Sequence, residues 1–156
     1  MSVAFRREGD DEHLEPKFEL PIPVGPNLVT ARGLQLIKDR VAALQIDVAA
    51  ETDETALKIV KRDLRYWNTR QSTAELAPVP SGETVEFGTK VTFTLKGTEK
   101  SLSIVGDDEA DPAKALVSFS APISRALIGS EPGDFASFAG QEDAIEILSI
   151  AVVTGS

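Results

Sequence analysis

Residues 30–50 read TARGLQLIKDRVAALQIDVAA, and this stretch decides the first half of the fold. Its apolar residues recur at spacings of three and four: Leu34, Ile37, Val41, Leu44 and Val48. That spacing puts one apolar stripe along a helix, as in the seam of a coiled coil. The stretch therefore predicts a first helix over about residues 30–49.

A second helix follows a short polar turn. The apolar seam resumes with Leu57, Val60, Leu64 and Trp67, which predicts a helix over residues 53–76. Two helices of similar length joined by a short turn bury both stripes by folding back on each other. Residues 29–77 are therefore predicted to form an antiparallel coiled-coil hairpin, about 30 Å long at the usual rise per residue.

The spacing of apolar residues changes beyond the hairpin. Residues 78–82 read PVPSG, which ends the second helix and predicts a linker. From Val91 to Leu95 apolar and polar residues alternate, and the alternation resumes at Leu102 after a Lys96-Gly97-Thr98 turn, as expected of paired, half-buried strands. Residues 83–156 are predicted to form a small, mostly antiparallel β domain with one short helix, so the fold class is α+β.

In the first 28 residues, apolar residues follow neither the helical spacing nor the alternation of a strand. They carry Pro16, Pro21, Pro23 and Pro26 among charged residues, which predicts an extended arm, with a flexible tail as the alternative. Residues 1–30 hold three bases and six acids, residues 31–82 hold eight and seven, and residues 83–156 hold five and twelve. The hairpin is thus the one part of the chain that is not acidic.

Composition excludes several classes of chemistry. The 156 residues include no Cys and a single His, His13, so Cys-based zinc sites, thiol nucleophiles and Ser-His-Asp triads are not expected. A net charge of −9 disfavours non-specific binding to nucleic acid. No apolar run approaches a membrane span or a signal peptide, and we expect a cytoplasmic protein that does not bind membranes.

Several motifs resemble one known family. IVGDDEAD at residues 104–111, SAPISRALIG at 120–129 and Gly133-Asp134 follow one another as in the C-terminal domain of the Gre family of bacterial transcription elongation factors. NLVTARGL at residues 27–34 resembles the start of the family's first coil helix, and RDLRY at residues 62–66 resembles the end of its second. The resemblance covers roughly residues 27–150.

The resemblance implies a C-terminal domain with an FKBP-like fold that docks on the rim of the RNA polymerase secondary channel. The coiled coil would enter that channel, so the chain would regulate RNA polymerase and not be an enzyme itself. The family's docking loop corresponds to Ser120, Ala121, Pro122 and Ile123, although the family more often has Ser at the position of Ala121.

The tip of the coil departs from the family pattern. In full-length Gre factors an Asp and a Glu at the tip help to hold the second catalytic Mg²⁺ of the polymerase, a hard ion that prefers oxygen ligands. Here the candidates are Glu51, Asp53 and Glu54, each arm of the coil is shorter, and Thr55 stands where the family has Asn. The alternative is that these acids only favour a turn and a helix N-terminus. No metal or cofactor of the chain's own is expected.

A group of bases lies on the second helix at spacings of three and four: Lys58, Lys61, Arg62 and Arg65, here called the basic stripe. In the Gre family a basic patch on the coil faces the RNA 3′ end, and the basic stripe is a candidate for the same contact. The alternative is a solvated helix face with pairs inside the helix.

The leading hypothesis is a monomeric, polymerase-binding Gre-family regulator with weak or no stimulation of transcript cleavage. The first alternative is a true cleavage factor that uses Glu51 and Glu54 to assist the Mg²⁺ of the polymerase. An alternative from another class is peptidyl-prolyl isomerase activity on the FKBP-like domain, whose aromatic residues are Phe87, Phe93, Phe119, Phe135 and Phe138.

Overall fold

The computed structural model describes residues 19–153, which form two compact units. Unit 1 joins the chain up to Gly25 with Ile37–Thr73, and unit 2 joins Pro26–Leu36 with the chain from Ala74 onward. Residues 1–18 of the predicted arm, with His13, and residues 154–156 lie outside the described residues.

Two helices of 20 residues form the predicted hairpin: α1, Ala31–Ala50, and α2, Glu54–Thr73. The α1 seam is buried at Ile37, Val41 and Leu44, while the α2 seam is half-buried. In unit 1 the Arg40 guanidinium lies 5.5 Å from the centre of the Trp67 ring. The predicted helical hairpin is therefore confirmed. Within residues 19–153, no helix is both long and apolar enough to cross a membrane.

The second helix ends earlier than predicted. Residues Glu75–Leu76 form a short strand, β2, that pairs in parallel with β1, Leu28–Val29. The Glu75 N–H donates to the Asn27 carbonyl at 2.8 Å, and the Ala77 N–H donates to the Val29 carbonyl at 3.0 Å. Pro78 disfavours a helical conformation at the residue before it, and the β1 backbone supplies the hydrogen bonds that a longer helix would have made.

Five strands form the sheet of unit 2: β3, Thr89–Leu95; β4, Thr98–Val105; β5, Leu116–Ser118; β6, Phe135–Phe138; and β7, Gln141–Val152. Their order is β5-β4-β3-β7-β6, and the β4–β5 pair is parallel while the other pairs are antiparallel. A 3₁₀ turn, Pro112–Lys114, and a short helix α3, Pro122–Leu127, complete the unit. The predicted α+β fold class is confirmed.

One face of the sheet carries the core. Its fully or nearly buried members are Val85, Val91, Phe93, Leu102, Ile104, Leu127, Ile145 and Ile147. The alternation from Val91 to Leu95 places every second side chain against this core, as the sequence predicted. Leu127 of α3 joins it with no exposed surface, so α3 and the loop before it are held against the sheet.

Candidate functional site

The predicted docking loop, Ser120–Ile123, connects β5 to α3. Ala121 is the N-cap of α3, with an extended backbone (φ −66°, ψ 148°), and Pro122 occupies the first turn. Proline suits this position because its fixed φ matches the helix and its missing N–H would have no helical partner. Pro122 is exposed, whereas Ile123 packs partly against the core. The loop thus presents an exposed proline of fixed backbone conformation beside an isoleucine that is held against the core.

A serine network holds the start of this loop. Asp107 accepts hydrogen bonds at one carboxylate oxygen from the hydroxyls of Ser118 and Ser120. The Ser120 N–H donates to the Ser118 hydroxyl oxygen at 3.1 Å, and the buried Ser124 hydroxyl donates to the Ser118 carbonyl at 2.7 Å. Sequence analysis missed Asp107 as a functional candidate, although it lies in the quoted GDDEAD motif.

The same motif holds the beginning of α1, and both parts belong to unit 2. The Glu109 side chain is 3% exposed and accepts a hydrogen bond from Arg32 Nη1 at 2.8 Å. Thr30 Oγ1 donates to Glu109 Oε1 at 2.6 Å and also accepts from the Gly33 N–H at 2.9 Å, which caps α1. Sequence analysis did not single out Glu109, because its partners lie almost 80 residues away.

Two glycines make room for this junction. A Cβ on Gly33 would lie 2.8 Å from Glu109 Oε1, and a Cβ on Gly106 would lie 2.3 Å from the Leu28 carbonyl oxygen. Both distances are shorter than the closest non-bonded contact between a carbon and an oxygen atom. The backbone therefore approaches closely at both places because neither residue has a side chain.

The acids of the coil tip serve the turn between the helices. Asp53 accepts a hydrogen bond from the Ala56 N–H at 2.8 Å and so caps α2, and Glu51 accepts one from the Asp53 N–H at 3.0 Å. The Glu54 side chain is exposed and makes no hydrogen bond or ion pair with another described residue. Between residues 19 and 153 there is no cluster of three or more His, Cys, Asp or Glu side chains that could hold a metal ion.

Within residues 19–153, two bases of the basic stripe form ion pairs and two do not. Arg62 binds the neighbouring Asp63 at 2.9 Å, and Arg65 binds Glu19 of the arm at 2.6 Å. Lys58 and Lys61 are exposed and form no ion pair with another residue of the described range. Arg70, farther along α2, is buried and does not extend the stripe.

The Arg65–Glu19 contact uses both carboxylate oxygens. Arg65 Nε lies 3.0 Å from Oε1 and 3.1 Å from Oε2, and Nη2 lies 2.6 Å from Oε2. The hydrogen bond from Arg65 lowers the pKa of Glu19 below its usual value, and the same bond raises the pKa of Arg65. Sequence analysis assigned Arg65 to the basic stripe but did not identify Glu19 as its partner.

Comparison with known proteins identifies the second unit. Residues 80–152 match the family model described as "Transcription elongation factor, GreA/GreB, C-term". Over this domain, the chain is similar to the GreA/GreB family. The resemblance found in the sequence motifs is confirmed.

Curated relatives match part of the chain. A transcription elongation factor GreA of Rhizobium etli (strain CIAT 652) is 44% identical over 75 residues, which cover 46% of this chain and 48% of the relative. That of Mesorhizobium japonicum is 50% identical over 56 residues, covering 35% and 36%. The matches thus span about half the length, or less, of these curated relatives.

Solved structures of the family align over more of the chain but at lower similarity. The GreA factor homolog Gfh1 of Thermus thermophilus is 17% identical, covers 81% of this chain and 99% of its own, and has a TM-score of 0.39. A GreA/GreB factor from Nitrosomonas europaea is 18% identical, with coverage of 82% and 99% and the same TM-score.

Proposed function

We propose that this Gre-family chain binds RNA polymerase at its secondary channel and regulates transcription elongation. The observation that carries the proposal is the match of residues 80–152 to the C-terminal domain of GreA/GreB factors. The curated relatives that match this chain are named transcription elongation factors. The chain acts on the polymerase as a cytoplasmic monomer and has no active site or cofactor of its own.

The docking loop is the proposed contact with the polymerase. Its exposed Pro122 and half-buried Ile123 form a short apolar surface. Side chains anchored in this way lose little conformational freedom when they bind, so more of their contact energy remains for the complex. The hydrogen bonds of Asp107 to Ser118 and Ser120 support this role, because they hold the loop before any partner arrives.

The hairpin is proposed to enter the channel and to stimulate cleavage weakly or not at all. Helices of 20 residues extend about 30 Å, and the coils of cleavage-competent Gre factors are longer. Direct coordination of Mg²⁺ requires an oxygen about 2.1 Å from the ion. In addition, Glu51 and Asp53 each accept a backbone N–H bond, which competes with metal coordination.

A true cleavage factor is the second candidate, and Glu54 favours it. Its side chain is exposed at the first turn of α2 and makes no hydrogen bond or ion pair with another described residue. Its carboxylate is therefore available to a Mg²⁺ ion shared with the polymerase active centre. In this second candidate function, Glu51 supplies the other oxygen ligand of the Mg²⁺ ion after its hydrogen bond from the Asp53 N–H breaks.

The basic stripe is the proposed contact with the RNA 3′ end inside the polymerase. Lys58 and Lys61 are exposed and unpaired among residues 19–153, and an ammonium group attracts phosphate without requiring one fixed geometry. The stripe lies on the same helix that begins at the coil tip, so both features would enter the channel together.

RNA shortening in backtracked polymerase complexes tests these proposals. The samples are the wild type, the double variant Glu51→Gln with Glu54→Gln, and Pro122→Asp as a docking variant. The expected result is that the wild type competes with a full-length GreA factor for the polymerase but shortens the RNA little. Strong cleavage that the double variant abolishes would instead establish the second candidate. A wild type that neither binds nor competes would overturn the proposed function.

A further inference from the structure

The sheet of unit 2 carries a large apolar side chain on its outer face, near one edge. Phe135 of β6 pairs with Glu146 of β7, and the neighbours of Glu146 along the strand, Ile145 and Ile147, belong to the core. Side chains alternate between the two faces of a strand, so Phe135 and Glu146 lie on the face turned away from the core. Phe135 is 58% exposed. Its ring therefore faces solvent instead of filling the core.

A second apolar side chain reaches solvent beside Phe135 because β7 contains a bulge. The pairing of β3 with β7 shifts by one residue between Ile147 and Ser149, so Leu148 is the extra residue of this bulge. A bulge redirects the side chains at that point of a strand, and Leu148 is 39% exposed. It lies two positions beyond the residue that pairs with Phe135. Such diagonal neighbours are about 7–8 Å apart, within reach of an aromatic ring.

The hairpin that holds these two side chains is strongly acidic. Residues 131–148 contain no base and five acids: Glu131, Asp134, Glu142, Asp143 and Glu146. Four of the five are exposed, and none forms an ion pair with another residue of the described range. Even with Lys90 of β3 and Lys96 of the following turn counted, the acids outnumber the bases by five to two. The potential at the exposed apolar residues is therefore negative.

This charge determines which kind of partner fits the surface. Nucleic acid is disfavoured, because the carboxylates repel its phosphates. A second copy of the chain is disfavoured as well, since a two-fold contact would place the acids of one copy against the same acids of the other. A basic protein segment is attracted by the carboxylates, and its apolar side chains can cover Phe135 and Leu148.

We propose that Phe135, Glu146 and Leu148, here called the Phe135 patch, bind a basic protein segment that presents apolar side chains between Lys or Arg residues. Phe135 and Leu148 supply the apolar contact, and Glu146 attracts the flanking bases. The patch lies on the face of the sheet opposite α3, because Leu127 of α3 packs in the core. The docking loop leads into α3, so the chain can hold this segment and engage the docking loop at the same time. The inference goes beyond the proposed function and does not depend on it.

NMR titration of the isotope-labelled full chain at low salt tests the proposal. The probe is the capped hexapeptide Lys-Arg-Leu-Leu-Arg-Lys, and the matched control peptide has Ser in place of both Leu. We expect changes in amide chemical shift to concentrate on β6 and on β7 from Glu146 onward. The control peptide should bind about fivefold more weakly, because it lacks the apolar contact. Equal binding of the two peptides would overturn the proposal, and so would shift changes spread evenly over the acids of the chain.

Two matched pairs of variants separate the patch from the rest of the surface. Phe135→Ser removes the exposed ring, and its control is Leu76→Ser, because Leu76 of β2 is 59% exposed. We expect Phe135→Ser to weaken binding of the hexapeptide about fivefold and Leu76→Ser to leave it unchanged. Glu146→Lys should weaken it about two- to fivefold relative to Glu83→Lys, which reverses an exposed acid outside the hairpin. If Phe135→Ser does not fold, the glutamate pair decides, and equal binding within that pair would overturn the proposal.

Sedimentation equilibrium of the wild-type chain tests the other occupant of the patch. We expect a monomer, because the acids of two copies repel each other across this face. A dimer that Phe135→Ser dissociates and Leu76→Ser does not would show that a second copy covers the patch. That result would overturn the assignment to a basic segment of another protein.

Discussion

Thr30 and Glu109, 79 positions apart in the chain, are joined by a 2.6 Å hydrogen bond in unit 2. The Thr30 hydroxyl donates to the buried carboxylate while it accepts the Gly33 N–H at the start of α1. One residue therefore both caps the first helix and fixes that cap to the GDDEAD segment. Since Asp107 of the same segment binds Ser118 at the end of β5 and Ser120 of the docking loop, two acids of this segment each hold a structural junction.

Loss of the Glu109 carboxylate should destabilise this junction. We expect Glu109→Ala to lower the free energy of unfolding by about 1–3 kcal/mol, because the Thr30 hydroxyl and the Arg32 guanidinium lose a buried partner. Arg32→Ala should cost less, since the Arg32 side chain is 40% exposed and water can replace it. Denaturant unfolding of the two variants measures the difference, and equal losses would show that Glu109 is not the centre of the junction.

The two close-approach glycines should respond differently to alanine. Gly106→Ala places a Cβ against a backbone oxygen, so the chain itself must move, and we expect a loss of about 1–3 kcal/mol or more. Gly33→Ala meets a side-chain oxygen instead and gains about 1 kcal/mol of helix propensity. The smaller loss is therefore expected for Gly33→Ala. Thermal unfolding ranks the two, and the reverse order would contradict this account of the backbone.

The hairpin should depend on its buried seam and not on its exposed charges. Ile37 has no exposed surface, so Ile37→Ala should cost about 2–5 kcal/mol. Leu64 is half-buried, and Leu64→Ala should cost less than Ile37→Ala. Lys58→Ala on the solvent side should change stability by less than about 0.5 kcal/mol. Melting temperatures of the three variants provide the comparison, and coincident curves would refute the assigned register.

The arm contact should be lost in acid. Arg65 lowers the pKa of Glu19 from its ordinary value of 4.5, so the ionised carboxylate favours the bound arm. This stabilisation is complete above pH 4.5. It is lost as the pH falls through the lowered pKa of Glu19. An NMR titration of the Glu19 carboxyl group should show the lowered midpoint, and Arg65→Gln should move it upward. An unchanged midpoint in Arg65→Gln would exclude the ion pair in solution.

Polymerase binding should depend on the shape of the docking loop. Pro122→Asp places a charge at the centre of the proposed contact, and we expect a loss of affinity of about tenfold or more. Asp107→Asn weakens the bonds to Ser118 and Ser120 without touching the partner, so a smaller loss is expected. Retention of each variant on immobilised polymerase measures both, with Glu99→Gln as the control. Full retention of Pro122→Asp would remove this loop from the interface.

The sequence by itself determined the helices and strands in which apolar residues recur at a regular spacing. The three-and-four spacing from Leu34 to Val48 predicted α1, and the alternation from Val91 to Leu95 predicted β3, because each pattern follows from the geometry of one local element. The motifs at residues 104–111 and 120–129 indicated the Gre family. Docking, tip chemistry and RNA contact stay predictions.

Only the tertiary structure decided the features that depend on distant parts of the chain. Helix α2 ends at Thr73 because Glu75–Leu76 find hydrogen bonds on Leu28–Val29, and no local pattern encodes that pairing. Glu109 became a structural centre because Gly33 lets the start of α1 approach its carboxylate, while Gly106 lets the same motif approach the Leu28 backbone. A carboxylate in a sequence is simply an acid, and its role is set by which donors the fold brings within hydrogen-bond distance.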